Sequence, residues 1–364
     1  MGVQYKASEH DAPILQDITR HIDQSLGGWY GSASELISQT PEVRSYTNSF
    51  LLRYGVRTQA GSKVILVKIR RNPKMESLKS AITARELHGS IPDEYNTLQF
   101  VHERIGDGHA NFTAIRPLTY LQEYFAIVME EFPSRSLRQL LYQQRRSGNT
   151  SELMTAARRA GELLRFFHEK VHSVIESPYS SSDFLTHVES FASRLETYTR
   201  GRITSGSIVN AFARRLSTRE LRSIPFSAAH QDMTSDNILY SDATGKVCLI
   251  DIRTKPAPIY SDLALLLVHP ETYRDQIFRA GRFFSRELLR EYRDSILTGY
   301  FGGGSTDRFL VDLFCAMRIL DKWTMHEDLF HRYKRWKRVF TRPLAPFVTA
   351  YFRRELDRYL TGID

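Results

Sequence analysis

The sequence predicts an α+β chain built as two lobes, a small β-rich N-lobe followed by a larger, mainly helical C-lobe. Three observations carry this expectation. Across residues 46–132, apolar residues recur at period two in the runs TNSFLLRYGV, KVILVKIRR, FTAIRPL and YFAIVMEEF, which is the spacing of half-buried strands. From Pro133 onward they recur every three or four residues, as in SLRQLLYQQRR and SELMTAARRAGELLRFFHEKVH, the spacing of amphipathic helices. The helical part is interrupted at 230–251, HQDMTSDNILYSDATGKVCLID, by a polar loop and a hairpin.

At 364 residues the chain is long enough to give each lobe its own core. Hydrophobic content of 41% and aromatic content of 12% exclude a disordered chain. The two cysteines, Cys248 and Cys315, fall in apolar patterns, so neither a disulfide framework nor a cysteine metal site is expected. No apolar run reaches the length of a membrane span, and the N-terminal residues lack the apolar core of a signal peptide. The expected location is the cytoplasm. A net charge of +9 favours anionic company: nucleotide, nucleic acid, anionic glycan or acidic lipid. The charge does not choose among them.

Taken in order, residues 1–45 read as a helical extension. Ile14, Leu15, Ile18 and Ile22 share helical spacing, and Gly27-Gly28 is expected to break the helix before a second apolar stretch. The extension is expected to pack against the N-lobe. The first two strands form a hairpin with a turn at 59–62, and Lys68 projects from its second strand. Glu94, one helical turn before Leu98 in DEYNTLQFVHERI, is the expected partner of Lys68, with Glu86 and Glu103 as alternatives. No G-x-G-x-x-G occurs; the nearest substitute for a phosphate loop is Arg44-Ser45-Tyr46-Thr47-Asn48, with Asn48 at its end. The last strand of the lobe runs into Glu130, Glu131 and Phe132, and Pro133 stops the ladder.

In the C-lobe, 133–364, Ser136 is placed to cap the first helix. His168 lies on the long helix that follows and reads as a packed or surface residue. The 230–251 segment carries the chemistry. Asp232 and Asn237 stand as D-x-x-x-x-N, and Asp251 follows the apolar run Val247, Cys248, Leu249, Ile250. A carboxylate placed directly after such a run is costly to bury unless something binds it. Asp232 could orient and deprotonate an attacking hydroxyl, while Asn237 and Asp251 supply oxygen ligands to Mg²⁺ on a nucleotide's phosphates. Lys68 would then be the fixed cation on those phosphates and Glu94 the carboxylate that holds it. Ser261 is expected to cap DLALLLV, and residues 302–304 form a loop. Late in the chain, HRYKRWKRVF sets Arg332, Lys334, Arg335, Lys337 and Arg338 around Tyr333 and Trp336. It reads either as a solvated helix face or as a docking surface for an anionic partner, such as an acidic lipid or the inner membrane surface.

HQDMTSDNIL, then CLIDI, then SDLALLL resembles the core of the aminoglycoside phosphotransferase and choline kinase-like family, whose fold is protein kinase-like. The resemblance implies ATP and Mg²⁺ as cofactors, Asp232 as catalytic base, and Asn237 and Asp251 as metal ligands. It also implies His230 as a prop of the loop, Asp262 as a buried carboxylate holding the loop's backbone, and Glu131 and Phe132 as the hinge whose backbone pairs with adenine. Ile252-Arg253 stands where protein kinases have Phe-Gly, and no A-P-E segment follows, which argues against a regulated protein kinase. The function so implied is ATP-dependent phosphorylation of a hydroxyl on a small molecule, sugar or glycan; the chain's basic charge favours a neutral or anionic sugar over a polycationic aminoglycoside. The alternatives are a nucleotide-binding pseudokinase scaffold, suggested by the missing glycines and by Arg253, and a nucleic-acid-binding protein using the basic aromatic segment.

Overall fold

The computed structural model describes residues 3–84, 91–332 and 344–362. Two compact units form: Met1–Ser134 together with Cys248–Ile252, and Arg135–Val247 together with Arg253–Asp364.

The first unit runs β1 (Val3–Gln4), α1 (Ala12–Tyr30), β2 (Glu35–Leu36), β3 (Glu42–Ser45), β4 (Ser49–Thr58), β5 (Gly61–Arg70), α2 (Leu78–Ile82), α3 (Ile91–Ile105), β6 (Phe112–Ala114), β7 (Pro117–Leu121) and β8 (Ala126–Glu130). Its antiparallel sheet has the order β1-β3-β4-β5-β8-β7, with β2 paired to β4. Alternation along β4 and β5 sends Phe50, Leu52, Tyr54, Val56, Ile65, Val67 and Ile69 into one core. Ile18, Ile22 and Leu26 of α1 complete that core. Gly27 and Gly28 do not break α1, which continues to Tyr30 and ends at Gly31, whose φ is +94°. The reason is a matter of magnitude. Each glycine costs the helix about 1 kcal/mol, whereas each buried side chain of α1 contributes roughly 1.5–3 kcal/mol, and Trp29 and Tyr30 add further packing.

The second unit contains β9 (Arg135–Ser136), α4 (Leu137–Ser147), α5 (Ser151–Phe166), β10 (Ile175–Pro178), α6 (Ser181–Thr199), α7 (Ser205–Leu216), β11 (Ser223–Ala229) and β12 (Ile238–Tyr240). Strand β13 (Val247–Leu249) leads into the first unit. Then come β14 (Lys255–Pro258), α8 (Ile259–Val268), α9 (Arg274–Phe278), α10 (Arg286–Phe301), α11 (Arg308–Arg332) and α12 (Ala345–Thr361). Ser136 caps α4 in a reciprocal box with Gln139. Ser261 is not a cap: α8 begins at Ile259 and Ser261 is buried within it, because burial of Ile259 and Tyr260 draws the helix start earlier. Helices α5 and α10 meet at Gly161 and Gly299. A Cβ on Gly161 would lie 2.1 Å from the Ile296 carbonyl oxygen, and one on Gly299 2.0 Å from that of Arg158. Only glycine allows this approach.

No helix among the described residues is long and apolar enough to cross a membrane. Of the basic segment, Arg332 ends α11, and Tyr333, Lys334, Arg335, Trp336, Lys337 and Arg338 lie outside the described residues.

Candidate active site

In the first unit the site grows from the alternation of β5. Val67 and Ile69 enter the core, so Lys68 and Arg70 share the opposite face. Glu94, in the first turn of α3 and 5% exposed, meets both. Lys68 Nζ donates to Glu94 Oε1 at 2.8 Å, and Arg70 Nη2 pairs with Oε2. Lys68 also pairs with Asp251, which the Cys248–Ile252 segment brings into this unit. Burial by itself would push the Lys68 ammonium down; the carboxylates of Asp251 and Glu94 outweigh it and hold it above its usual value. The lysine is therefore a fixed cation. Asp251 has a φ of +56°, a left-handed conformation costing a non-glycine residue roughly 1–2 kcal/mol. Such strain collects where a side chain must be aimed.

The turn between β3 and β4 carries no glycine. Tyr46 N–H bonds to Ser49 O at 2.8 Å, Arg71 N–H bonds to Asn48 O at 3.0 Å, and the Arg71 guanidinium donates to Ser45 Oγ at 2.7 Å. Asn48 is exposed at its tip. After β8, Glu131 N–H donates to Val64 O at 2.8 Å and the Glu131 carboxylate takes Arg53 through two nitrogens. The Phe132 carbonyl accepts from Ser134 Oγ at 2.7 Å. Of the alternatives to Glu94, Glu103 is exposed and Glu86 lies outside the described residues.

In the second unit the loop after β11 is held by Asp262, which is fully buried on α8. Its Oδ2 accepts from His230 N–H and its Oδ1 from Gln231 N–H at 3.0 Å. His168 Nε2 sits 3.3 Å from Oδ2 and its Nδ1 2.8 Å from the Tyr300 hydroxyl. Burial would raise the Asp262 carboxyl, but the hydrogen bond from His168, the two histidines' fields and the backbone bond from His230 hold it below its ordinary value. Gln231 takes a φ of +69°, and the chain turns sharply to present Asp232. Asp232 is exposed; Asn237 Nδ2 donates to its carbonyl at 2.8 Å and to its Oδ2 at 3.0 Å.

Asn237 and Asp232 are thus hydrogen-bonded to each other, and Lys68, Glu94 and Asp251 form one cluster. Sequence reasoning missed Arg70, although its position two residues from Lys68 on a strand signals a shared face. It also missed the support beneath Ser235. There His269 Nδ1 accepts from Ser235 N–H at 3.2 Å and from Ser235 Oγ at 2.7 Å, and the Tyr273 hydroxyl meets the same Oγ. Burial, with Lys322 and Arg138 adding, pushes the His269 imidazole down to about 3. No local signal in the sequence marks that partnership.

A comparison with protein-family profiles matches residues 56–303 to the phosphotransferase enzyme family (APH). The match spans more than half of the chain, and the chain belongs to that family. Among solved structures, a glucosamine kinase is 14% identical with a TM-score of 0.50, covering 93% of this chain and 83% of its own. An aminoglycoside-3'-phosphotransferase of type VIII is 18% identical, covering 85% of this chain and 98% of its own, with a TM-score of 0.41. The macrolide 2'-phosphotransferase MphH of Brachybacterium faecium is 10% identical, covering 98% and 99%, with a TM-score of 0.49. The fold is α+β and protein kinase-like, with a β-rich N-lobe and a helical C-lobe. No curated protein matches the chain.

Proposed function

We propose that this chain is an ATP-dependent phosphotransferase that moves the γ-phosphoryl group onto a hydroxyl of a small molecule, sugar or glycan. The observation that carries the reading is the Lys68 ammonium, buried on β5 and kept charged by Asp251 and Glu94. It is the fixed cation that a nucleotide's phosphates require. Arg70 steadies the second oxygen of Glu94. Asn48, at the tip of the β3–β4 turn, is the proposed phosphate contact, and Glu131 and Phe132 are the proposed backbone contacts to adenine.

In the second unit Asp232 is the proposed base. Asn237 fixes its Oδ2, so its Oδ1 is the oxygen that would orient the acceptor hydroxyl and take its proton. The Asp251 carboxylate and the Asn237 Oδ1 are hard oxygen donors of the kind Mg²⁺ prefers, and the ion, when bound, would neutralise charge on the phosphates. His230 and Asp262 keep the loop in register. Most of the rate would come from positioning and charge neutralisation.

The chain's net charge of +9 favours a neutral or anionic acceptor over a polycationic one. The glycine-free turn tied down by Arg71 favours a second reading, a nucleotide-binding scaffold without turnover.

The test is ATP consumption with Mg²⁺ by wild type and Asp232→Asn, against aminoglycosides, choline-like amino alcohols, simple sugars and acidic glycans. Wild type should give an acceptor-dependent signal that Asp232→Asn lowers by about 10²–10⁴-fold. ATP binding with no turnover of any acceptor would move the conclusion to the scaffold, and absence of nucleotide binding would remove both readings.

A further inference from the structure

The second unit contains a cavity of about 300 Å³ whose wall includes Glu271, Arg286, Glu287, Arg290, Arg293, Glu355 and Arg358, none of them a residue of the 230–251 loop. Of the three acids in this wall, Glu287 is exposed, and Glu271 and Glu355 already have partners. Glu271 accepts from Arg358 Nη2 at 2.7 Å and from the Tyr359 hydroxyl at 3.0 Å. Glu355 takes Arg354 at 2.8 Å and Arg358 Nε at 2.9 Å.

The arginines of α10 are less fully met. Arg293 is 5% exposed, lies with its guanidinium 5.0 Å from the Tyr359 ring centre, and pairs through Nη2 with Asp312. Its Nε and Nη1 are buried without a hydrogen-bond partner. Leaving buried donors unmet costs on the order of 1–3 kcal/mol each, which an acceptor in the cavity would recover. Arg286 and Arg290 are exposed at the mouth, and among the described residues neither makes an ion pair. The spacing 286, 290, 293 sets all three on one face of α10.

We propose that this cavity binds a small phosphomonoester. Arg293 Nε and Nη1 would donate to phosphoryl oxygens, and Arg286 and Arg290 would balance the remaining charge. Two exposed guanidinium groups outside any ion pair, and a third with two unmet donors, match a dianion better than a single carboxylate does. The volume exceeds what a bare phosphate ion fills and sits at the lower end of small-molecule pockets. The ester's organic part would occupy the rest.

Calorimetric titration of the full chain without nucleotide tests this, with glucose 6-phosphate, inorganic phosphate and glucose as probes. Wild type and Lys68→Met are titrated in parallel, so that phosphate bound at the Lys68 cluster is separated and the outcome does not depend on whether the chain transfers phosphate. The expected result is saturable binding of glucose 6-phosphate, weaker binding of phosphate and none of glucose, unchanged by Lys68→Met. The double variant Arg286→Gln/Arg290→Gln, which touches only exposed side chains, should weaken binding by about tenfold or more. Arg293→Lys keeps a cation for Asp312 while removing the guanidinium donors, and should weaken it further. Absence of saturable binding in the Lys68→Met protein, or affinity indifferent to the double variant, would overturn the proposal.

Discussion

Two buried carboxylates, Glu94 in the first unit and Asp262 in the second, solve the same problem differently. Glu94 is met by two cationic side chains, Lys68 and Arg70, and the lysine shares itself with Asp251, whose side chain is 47% exposed. Asp262 is met by two backbone N–H groups and a buried histidine, with no lysine or arginine among the described residues. The difference is one of exchangeability. A cation held partly by an exposed carboxylate can trade that partner for a ligand. A carboxylate holding backbone amides cannot let go without moving the loop. The first arrangement suits binding and the second suits support.

That contrast can be broken by mutation. The largest expected effect is at Asp262→Ala, which leaves the His230 and Gln231 N–H groups and His168 without their acceptor; chemical denaturation should show a loss of about 3–5 kcal/mol. Lys68→Met should do the reverse, lowering phosphotransfer by about 10²–10³-fold in a steady-state assay. It should leave the unfolding midpoint nearly unchanged, because Arg70 remains to pair with Glu94. Equal stability losses at Lys68 and Asp262 would erase the distinction drawn between them.

Gly161→Ala sharpens the comparison by separating stability from chemistry. Its Cβ would overlap the Ile296 carbonyl of α10, so a cost of about 1–3 kcal/mol is expected in denaturation. Activity per folded molecule should be retained, unlike that of the Lys68 variant.

The smallest effect concerns pH. The His269 imidazole is pushed from its ordinary value near 6.5 down to about 3 in the folded chain. Between those values the unfolded chain binds a proton that the folded chain does not. His269 therefore contributes stability that is fully present above pH 6.5 and is lost as pH falls toward 3, at up to about 1.4 kcal/mol per pH unit. His326, lowered to about 4 by burial, adds a slope of the same sign. His269→Gln should flatten, not abolish, the acid side of a plot of unfolding free energy against pH.

How much of this was legible beforehand depends on the range of each interaction. Period-two spacing places Lys68 and Arg70 on one face of β5, period 3.6 places Glu94 one turn before Leu98, and Ser136 with Gln139 spells out a capping box; each is written within a few residues. The D-x-x-x-x-N order of Asp232 and Asn237 likewise signals its loop from sequence, as does the apolar run ending in Asp251. Local rules misjudged α1 at Gly27-Gly28 and α8 at Ser261, since burial against distant residues outweighed a glycine penalty in one case and a capping preference in the other.

Tertiary structure alone decided three further partnerships. Lys68 and Asp251 are 183 positions apart, His168 and Asp262 94 apart, and Ser235 and His269 34 apart. The tight seam at Gly161 and Gly299 and the half-bonded Arg293 in its cavity have no local signature either. Periodicity and caps come from steric and hydrogen-bonding preferences that act over a turn or two, and a single sequence records them directly. Which buried charge meets which partner depends on how whole elements pack, and only the folded chain brings those groups within reach.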